Sequence, residues 1–212
     1  MKPKKRARRT GRPNQRESEV IVKRILDTAT RLFKEQGYAA TSIEQIASVS
    51  GSGKQTIYRR FETKEKLFQT VMHNHSESVG KRVWEVAQAE DPLQALKNIT
   101  REMFGLMLAP ESVAFQRVLI AEASRFPDFV GRTFDNNVGP VSDLTKRLLR
   151  AAIANGQLQR AEPDRMFSFM TGLLTGWPHQ QALLGRDVLP TQTLRTKYFE
   201  AAWTMFLTGA GT

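Results

Sequence analysis

Apolar residues recur every three or four positions along almost the whole chain from Ser18 onward, and no long stretch alternates apolar with polar residues. This spacing places the apolar side chains on one stripe of an α-helix, whereas a half-buried strand requires a period of two. Val22, Ile25, Ala29 and Phe33 show the helical spacing most clearly. The sequence therefore predicts an all-α fold.

Glycines, prolines and capping residues divide this sequence into separate helices. A capping box precedes the second helix in either of two registers. One register pairs Thr41 with Glu44. The other pairs Ser42 with Gln45. Helices are predicted over 18–36, from about 43 to 48, and over 54–61, 64–88, 92–108, 112–125, 127–136, 140–154, 163–184 and 191–208.

The composition excludes several classes of protein. The 212 residues include no cysteine, which excludes disulfide scaffolds, iron–sulfur clusters and thiolate zinc sites. No apolar run approaches the ~18 residues that a membrane span requires, so we expect no membrane partner. Three histidines without clustered carboxylates give no catalytic or metal-binding constellation. We therefore expect no enzymatic activity, no cofactor and no metal.

Residues 1–16 form a basic arm with eight positive charges and no Asp or Glu. The whole chain has a net charge of +11, so residues 17–212 are left with only +3. Such an arm suits a polyanion, because each phosphate that it neutralises releases condensed counterions. A solubilising or targeting tail is the alternative interpretation.

Residues 42–61 contain two short helical segments joined by a turn that includes Gly51 and Gly53. This arrangement is typical of a helix-turn-helix, whose second helix enters the major groove of DNA. Ile57 and Phe61 are four residues apart and would anchor that second helix on its own domain. A three-helix bundle whose polar faces meet only water is the alternative.

The polar residues around the second helix have the chemistry of DNA contacts. Gln55 and Arg59 suit adenine and guanine edges, and Lys54 suits either a base or a phosphate. Hydroxyl and ammonium groups nearby suit phosphates. The predicted DNA-binding residues are Arg9, Arg12, Thr41, Ser42, Lys54, Gln55, Thr56, Tyr58, Arg59 and Lys64.

A longer spacing pattern runs through residues 20–68. It comprises Leu32-Phe33, Gly37-Tyr38, Thr41-Ser42-Ile43, Ile46-Ala47, Gly51, Lys54, Thr56-Ile57-Tyr58, Phe61, Lys64 and Leu67-Phe68. This pattern resembles the DNA-binding domain of the TetR/AcrR family. The stretch Ala121-Glu122-Ala123-Ser124-Arg125-Phe126-Pro127, with Gly139-Pro140 beyond it, also resembles the C-terminal domain of some AcrR-like members. The resemblance implies nine or ten helices and a dimeric regulator, usually a repressor that a small molecule releases.

The turn departs from the family pattern, and the arm resembles a different motif. Ser52 and Gly53 stand where the family commonly has an apolar residue and a serine, so we assign no DNA contact to Gly53. Thr10-Gly11-Arg12-Pro13 resembles half of an AT-hook. We expect Arg9 and Arg12 in a minor groove or at phosphates. A disordered arm that adds salt-dependent affinity without specificity is the alternative.

The last two predicted helices are apolar on more than one side and must be buried on more than one side. We expect one side in the core and the other against a second subunit, although a central helix of a monomer would show the same pattern. The resemblance implies that these helices pair as a four-helix dimer bundle. The predicted interface residues are Leu173, Gly176, Leu194, Tyr198 and Met205.

The C-terminal region is larger than a dimerisation module requires, so we predict a largely apolar ligand pocket among its middle helices. Simple core packing is the alternative for each residue taken singly. The predicted lining residues are Arg101, Phe104, Met107, Gln116, Phe134, Phe167, Met170 and Trp177.

Taken together, the sequence predicts three regions: a basic disordered arm over 1–16, a helix-turn-helix domain over 17–65, and a larger ligand-binding and dimerisation bundle over 66–212. The expected function is that of a bacterial, cytoplasmic, nucleoid-associated repressor. It would bind a palindromic operator in double-stranded DNA as a homodimer and be released by a small-molecule effector. A sequence-indifferent nucleoid protein driven by the arm, or a helical ligand carrier, remains the alternative.

Overall fold

The structure, a computed structural model, describes residues 15–210. It leaves aside the side chains of Gln15, Thr133, Phe134, Asn136 and Asn137. The regular structure within residues 15–210 is entirely helical, which confirms the predicted all-α fold. The helices are α1 Gln15–Ala40, α2 Ile43–Ser50, α3 Lys54–Phe61, α4 Lys64–Val86, α5 Pro92–Met107, α6 Pro110–Glu122, α7 Pro127–Ala154, α8 Pro163–Thr171, α9 Trp177–Leu183 and α10 Gln192–Ala210, with a π turn over Gly172–Gly176.

Local backbone signals set the ends of the first helices. Gly37 interrupts α1 with a φ of 85°, in the left-handed region that glycine adopts without steric cost. The Ser42 hydroxyl accepts a hydrogen bond from the Gln45 N–H, and the Gln45 side chain accepts one from the Ser42 N–H, each at 3.1 Å. This is the second of the two predicted capping registers. Gly51 ends α2 with a φ of 63°.

The core of α1–α3 continues into α4, α6 and α7. Phe33, Ile57 and Phe68 are fully buried at its centre, and Phe115 from α6 and Phe129 from α7 join the same cluster. The predicted boundary between residues 65 and 66 falls in the first turn of α4. One continuous helix therefore runs from the N-terminal helices into the C-terminal ones.

A second core cluster lies among the C-terminal helices. Phe104 of α5, Leu149 of α7, Met170 of α8 and Phe199 of α10 are buried together. Smaller apolar contacts link the end of α4 to α5, with Val83 nearly inaccessible to solvent. The C-terminal half is thus a layered bundle in which α5 and α7 occupy central positions.

Two predicted helix boundaries are wrong. The segments 127–136 and 140–154 form a single helix, α7, that passes through Pro140. Proline removes one hydrogen bond of a helix, but surrounding packing can hold the helix through that position. The predicted single helix over 163–184 is interrupted by the π turn. Pro178 has no N–H to donate to the Leu174 carbonyl, and the backbone widens immediately before it.

No single helix within residues 15–210 combines the length and the apolar composition needed to cross a membrane. The pair Pro92–Met107 and Pro110–Glu122, bent by 71°, satisfies those two criteria only when both helices are counted together.

Candidate nucleic-acid interface

The α2–turn–α3 unit is held together by backbone bonds at both ends of the turn. The Ser52 N–H donates to the Ala47 carbonyl at 3.0 Å, which closes the end of α2. Gly53 is the N-cap of α3 and offers no side-chain bond to it. Its carbonyl accepts from the N–H groups of Thr56 and Ile57 at 2.9 and 3.2 Å. The turn therefore fixes the start of α3 through the backbone alone.

The third helix, α3, buries one face and exposes the other. Ile57 is fully buried and Phe61 is 8% exposed, as their four-residue spacing predicts. Tyr58 is 47% exposed. Gln55 and Arg59 are also exposed, and neither makes a side-chain hydrogen bond or ion pair within residues 15–210. A helix with one polar, accessible face has the shape required to enter a major groove about 12 Å wide.

Ion pairs and hydrogen bonds position the two ends of α3. The Lys54 ammonium lies 2.5 Å from the Glu44 carboxylate of α2, and both side chains are exposed. The hydrogen bond from Lys54 lowers the pKa of Glu44. At the other end, Arg60 donates to the Ser18 hydroxyl of α1. The contact between Arg60 and Ser18 was not predicted, because the two residues are far apart in the sequence and no motif links them.

One predicted DNA contact, Thr41, is buried, and another, Lys64, has partners within the protein. Thr41 is only 1% exposed, and its hydroxyl donates to the Gly37 carbonyl at 2.7 Å, so its side chain is not accessible to DNA. The Lys64 ammonium donates to the carbonyls of Tyr38 and Thr41 at 2.9 and 3.0 Å and lies 4.3 Å from the Tyr38 ring centroid. Burial lowers the pKa of Lys64. Lys64 therefore bonds to the corner between α1 and α2 through two of its three N–H donors, and its contact with a phosphate stays a prediction.

The remaining predicted DNA-binding residues lie on one side of this unit or beyond it. Ser42 and Thr56 are half-buried, with the Ser42 hydroxyl occupied by its capping bond. Lys54, Gln55, Tyr58 and Arg59 are exposed along α3. Arg9 and Arg12 fall outside the described residues.

The predicted interface residues lie on the outer surface of α8–α10, with one exception. Leu173, Leu194 and Met205 are 36%, 43% and 64% exposed. Tyr198 is instead half-buried, stacked on Phe104 with ring centroids 5.7 Å apart. The Gly176 position is exposed at the end of the π turn.

Three large apolar side chains on this surface were not assigned to it from the sequence. Phe169, Trp177 and Leu184 are 69%, 53% and 68% exposed. Trp177 was predicted to line the pocket, but its exposure places it on the outer surface. The exposed face of α8–α10 is therefore more apolar than predicted.

Some of the predicted pocket residues lie together in the C-terminal core. Phe104 and Met170 are buried in the C-terminal core, and Phe167 packs against it. Arg101 is exposed, pairs with Glu200 of α10 and lies 5.2 Å from the Phe199 ring centroid. Helical periodicity predicts which residues share one face of a helix, but not which faces of neighbouring helices contact each other.

Three predicted lining residues remain, and the side chains of two of them are described. Met107 is half-buried at the end of α5. Gln116 belongs to α6, whose buried face packs on the N-terminal core. The side chain of Phe134 is not among those described. A groove of about 410 Å³ lies elsewhere, between α1, the end of α3 and the middle of α4, with Val22, Leu26 and Arg60 in its wall.

Comparison with known protein families agrees with this geometry. Residues 25–71 match the family described as bacterial regulatory proteins, tetR family. Residues 94–209 match the AefR-like transcriptional repressor C-terminal domain, which alone spans more than half of the chain. The two matches cover the helix-turn-helix and the C-terminal bundle respectively.

Individual relatives and structures show the same similarity. The uncharacterised helix-turn-helix regulator YhgD of Bacillus subtilis is 31% identical over 172 residues, which cover 79% of this chain and 89% of YhgD. A TetR-family regulator of Mesorhizobium loti has a TM-score of 0.79 at 24% identity, covering 94% of this chain and all of that one. The flavonoid-responsive regulator FrrA has a TM-score of 0.72 at 25% identity, covering 91% and 98%.

Other relatives match only in part, and the chain spans 41% of the length of two Mycobacterium tuberculosis regulators that it matches at 30% identity over 82 residues. These relatives and neighbours are transcriptional regulators, a class without enzymatic activity, which agrees with the expectation of no catalysis. The chain belongs to the TetR family of DNA-binding transcriptional repressors, with a C-terminal domain of the AefR-like type.

Proposed function

We propose that the chain forms a homodimer that represses transcription by placing one α3 in each half of a palindromic operator. The observation that carries this proposal is the exposed polar face of α3 held on a buried apolar face. A single helix contacts only a few base pairs, so specificity requires two copies on two half-sites. In such dimers the half-sites lie about 34–36 Å apart, or a multiple of that spacing.

The proposed division of labour along α3 follows from side-chain chemistry. Gln55 and Arg59 are four residues apart and therefore share one face of the helix. They would contact adenine and guanine edges through bidentate hydrogen bonds. Lys54, Thr56 and Tyr58 would contact phosphates and fix the register of the helix. Beyond α3, we keep Ser42, Arg9 and Arg12 as proposed backbone or minor-groove contacts.

The apolar surface of α8–α10 supports the dimer. Phe169, Trp177, Leu184, Leu194 and Met205 are all exposed, from 43% for Leu194 to 69% for Phe169. Monomeric proteins rarely leave so many large apolar side chains on one surface, because burying them releases water. A second copy of the same surface would cover them around a two-fold axis.

A largely apolar effector is proposed for the C-terminal bundle. The structural neighbour FrrA is named as flavonoid-responsive, and flavonoids are largely aromatic molecules. In this chain, an effector bound between helices of residues 85–184 would shift the equilibrium between the DNA-bound and DNA-free arrangements only by as much as its affinities for the two differ. Operator binding and effector binding would then weaken each other by the same factor.

The proposal is tested by selecting bound duplexes from a random-sequence pool and measuring affinity for the enriched sequence at about 0.15 M salt. We expect an enriched palindrome, and we expect Arg59→Ala to weaken binding at least about 100-fold because both half-sites lose a base contact. Arg31→Ala is the matched control, since Arg31 is an exposed arginine of α1 that pairs with Glu35. Both variants should elute as dimers.

Loss of the dimer in Arg59→Ala would overturn the separation of DNA binding from dimerisation. Retention of duplexes without any enriched sequence would instead favour the sequence-indifferent nucleoid protein. An Arg59→Ala variant that selects the same palindrome with unchanged affinity would exclude α3 as the recognition helix.

A further inference from the structure

The stretch 121–127 at the end of α6 contacts the DNA-binding helices directly, although the two segments are far apart in the sequence. Glu122 is its most buried polar residue, with 6% exposure. One carboxylate oxygen, Oε1, accepts a hydrogen bond from the Ala39 N–H at 3.2 Å. Ala39 belongs to the short corner, residues 37–41, that joins α1 to α2.

The corner needs such a partner because Gly37 breaks the helical backbone. With φ 85° and ψ 172°, Gly37 ends the regular hydrogen bonding of α1 and starts a new turn. The first N–H groups of a helical turn have no carbonyl four residues before them. A carboxylate is a strong acceptor for such groups and also suits their partial positive charge. The Glu122 side chain thus satisfies a donor that the break in α1 leaves open.

Aromatic contacts hold the same corner against the start of α7. The Tyr38 ring packs edge-on to Phe126 with centroids 6.2 Å apart and lies 5.8 Å from Phe129. The Glu122 carbonyl accepts from the N–H groups of Arg125 and Phe126 at 3.1 and 2.8 Å. Glu122 therefore bonds through its backbone to the α6–α7 turn and through its side chain to the α1–α2 corner.

On its other side, the corner is bonded to α4. Lys64 donates to the carbonyls of Tyr38 and Thr41, while Glu122 accepts from the N–H of Ala39 between them. The negative charge of Glu122 acts to raise the pKa of Lys64, although burial has the larger, opposite effect. The two side chains of opposite charge therefore hold one short segment from two different helices.

We infer that Glu122 is a positioning residue that ties the end of α6 to the α1–α2 corner and so sets the orientation of α2 and α3 on DNA. This adds a partly buried hydrogen bond between the helix-turn-helix and α6 to the links that the continuous helix α4 and the shared apolar core already make. The part of the inference that concerns DNA rests on the proposed function. A movement of the end of α6 would pull on the Ala39 N–H, and DNA binding would conversely restrain α6.

Hydrogen–deuterium exchange of the full-length protein without DNA tests the contact. Glu122→Met keeps the side-chain volume without an acceptor, and Glu122→Gln keeps an acceptor oxygen without the charge. We expect amides of residues 38–42 to exchange at least about fivefold faster in Glu122→Met than in the wild type, and Glu122→Gln to restore slow exchange. Glu111→Gln is the matched control, because it removes an exposed α1–α6 ion pair to Lys34 at 3.1 Å. Unchanged exchange in Glu122→Met would overturn the inference.

A second measurement tests whether Glu122 couples α6 to the DNA-binding helices or only stabilises the α1–α2 corner. Saturating the protein with the selected operator duplex should slow amide exchange over residues 118–126 in the wild type and in Glu122→Gln, and should leave it unchanged in Glu122→Met. Equal protection of residues 118–126 in all three would overturn the coupling. Glu122→Ala replaces the Met variant if the latter does not fold. Failure to select any operator would count against the proposed function, while the DNA-free exchange would still judge the Glu122 contact.

Discussion

The α2–α3 unit and the α8–α10 surface differ in what fixes their structure. In α2–α3, a capping box, a left-handed glycine and two buried anchors all lie within the single segment 42–61. In α8–α10, large apolar side chains stay exposed, and a π turn divides the expected helix. Local interactions complete the first region, whereas the second leaves large apolar side chains exposed within residues 15–210, which we propose that a second copy covers.

This difference explains why the structure of α2–α3 could be predicted from its own sequence. The hydrogen bonds of a capping box join residues that are close in the sequence, so the local sequence is enough to predict them. Apolar surface has no such directionality, because burial against the core and burial against a partner have the same chemistry. The exposed fraction of an apolar side chain in the folded chain shows whether it packs in the core or is left for a partner to bury.

The largest expected contrast compares two phenylalanines. Phe33 is fully buried and packs edge-on to Phe68 with centroids 5.0 Å apart, so Phe33→Ala should lower the free energy of unfolding by about 3–5 kcal/mol. Phe169 is 69% exposed, so Phe169→Ala should act through the dimer alone. Urea unfolding at two protein concentrations distinguishes them. The Phe33→Ala deficit should stay constant, and the Phe169→Ala deficit should shrink at high dilution. A constant deficit in both would refute the assignment of Phe169 to the dimer surface.

Two exposed tryptophans give the next largest effect. Trp177→Glu places a charge at the proposed interface and should raise the dimer dissociation constant about 100-fold or more, since buried tryptophans are frequent hot spots. Trp84→Glu is the matched control, because Trp84 is 59% exposed and belongs to α4 and not to α8–α10. Sedimentation velocity measures both variants. Dissociation by Trp84→Glu but not by Trp177→Glu would place the interface elsewhere.

A smaller effect compares the caps of α2 and α3. Ser42→Ala removes the hydroxyl that caps α2 and should lower the free energy of unfolding by about 1 kcal/mol. Gly53→Ser adds a hydroxyl where α3 has no side-chain cap and should change it by only a few tenths of a kcal/mol. Urea denaturation of both variants measures the difference. Equal effects would mean that the capping box contributes little to α2.

The smallest expected effect is a pH dependence that arises from one histidine on α4 and one on α9. Burial lowers the pKa of His75, the charge of Glu111 opposes this, and Lys34 adds to it. Burial also lowers the pKa of His179 on α9. The unfolded chain then binds protons more readily than the folded one, so the free energy of unfolding should fall as the pH drops below about 6.5.

Replacing His75 with Gln should make this decline shallower, and adding His179→Gln should make it shallower again. Denaturant unfolding between pH 7 and pH 5 measures the slopes. His73→Gln serves as the control, because His73 is exposed two residues away on the same helix. A decline that steepens in the His75 variant would contradict a lowered pKa for this histidine.

The sequence was sufficient for most of the helices and for the exposed face of α3, because spacing and caps are local. It was not sufficient where the partner of a side chain lies far along the chain. Thr41 and Lys64 have the chemistry of phosphate contacts, but tertiary packing turns them towards the corner after Gly37. Pro140 was expected to break a helix that packing against neighbouring helices preserves. The pocket stays a prediction, since periodicity indicates which residues share one face of a helix but not which side chains that face contacts.

The central claim is that α3, and not the basic arm, determines which DNA is bound. The most direct test captures genomic fragments at about 0.15 M salt with the full chain and with a chain lacking residues 1–16, and sequences what each retains. We predict the same enriched palindrome for both, with weaker binding and a shallower salt dependence without the arm. Retention without a common sequence, lost when the arm is removed, would contradict the claim.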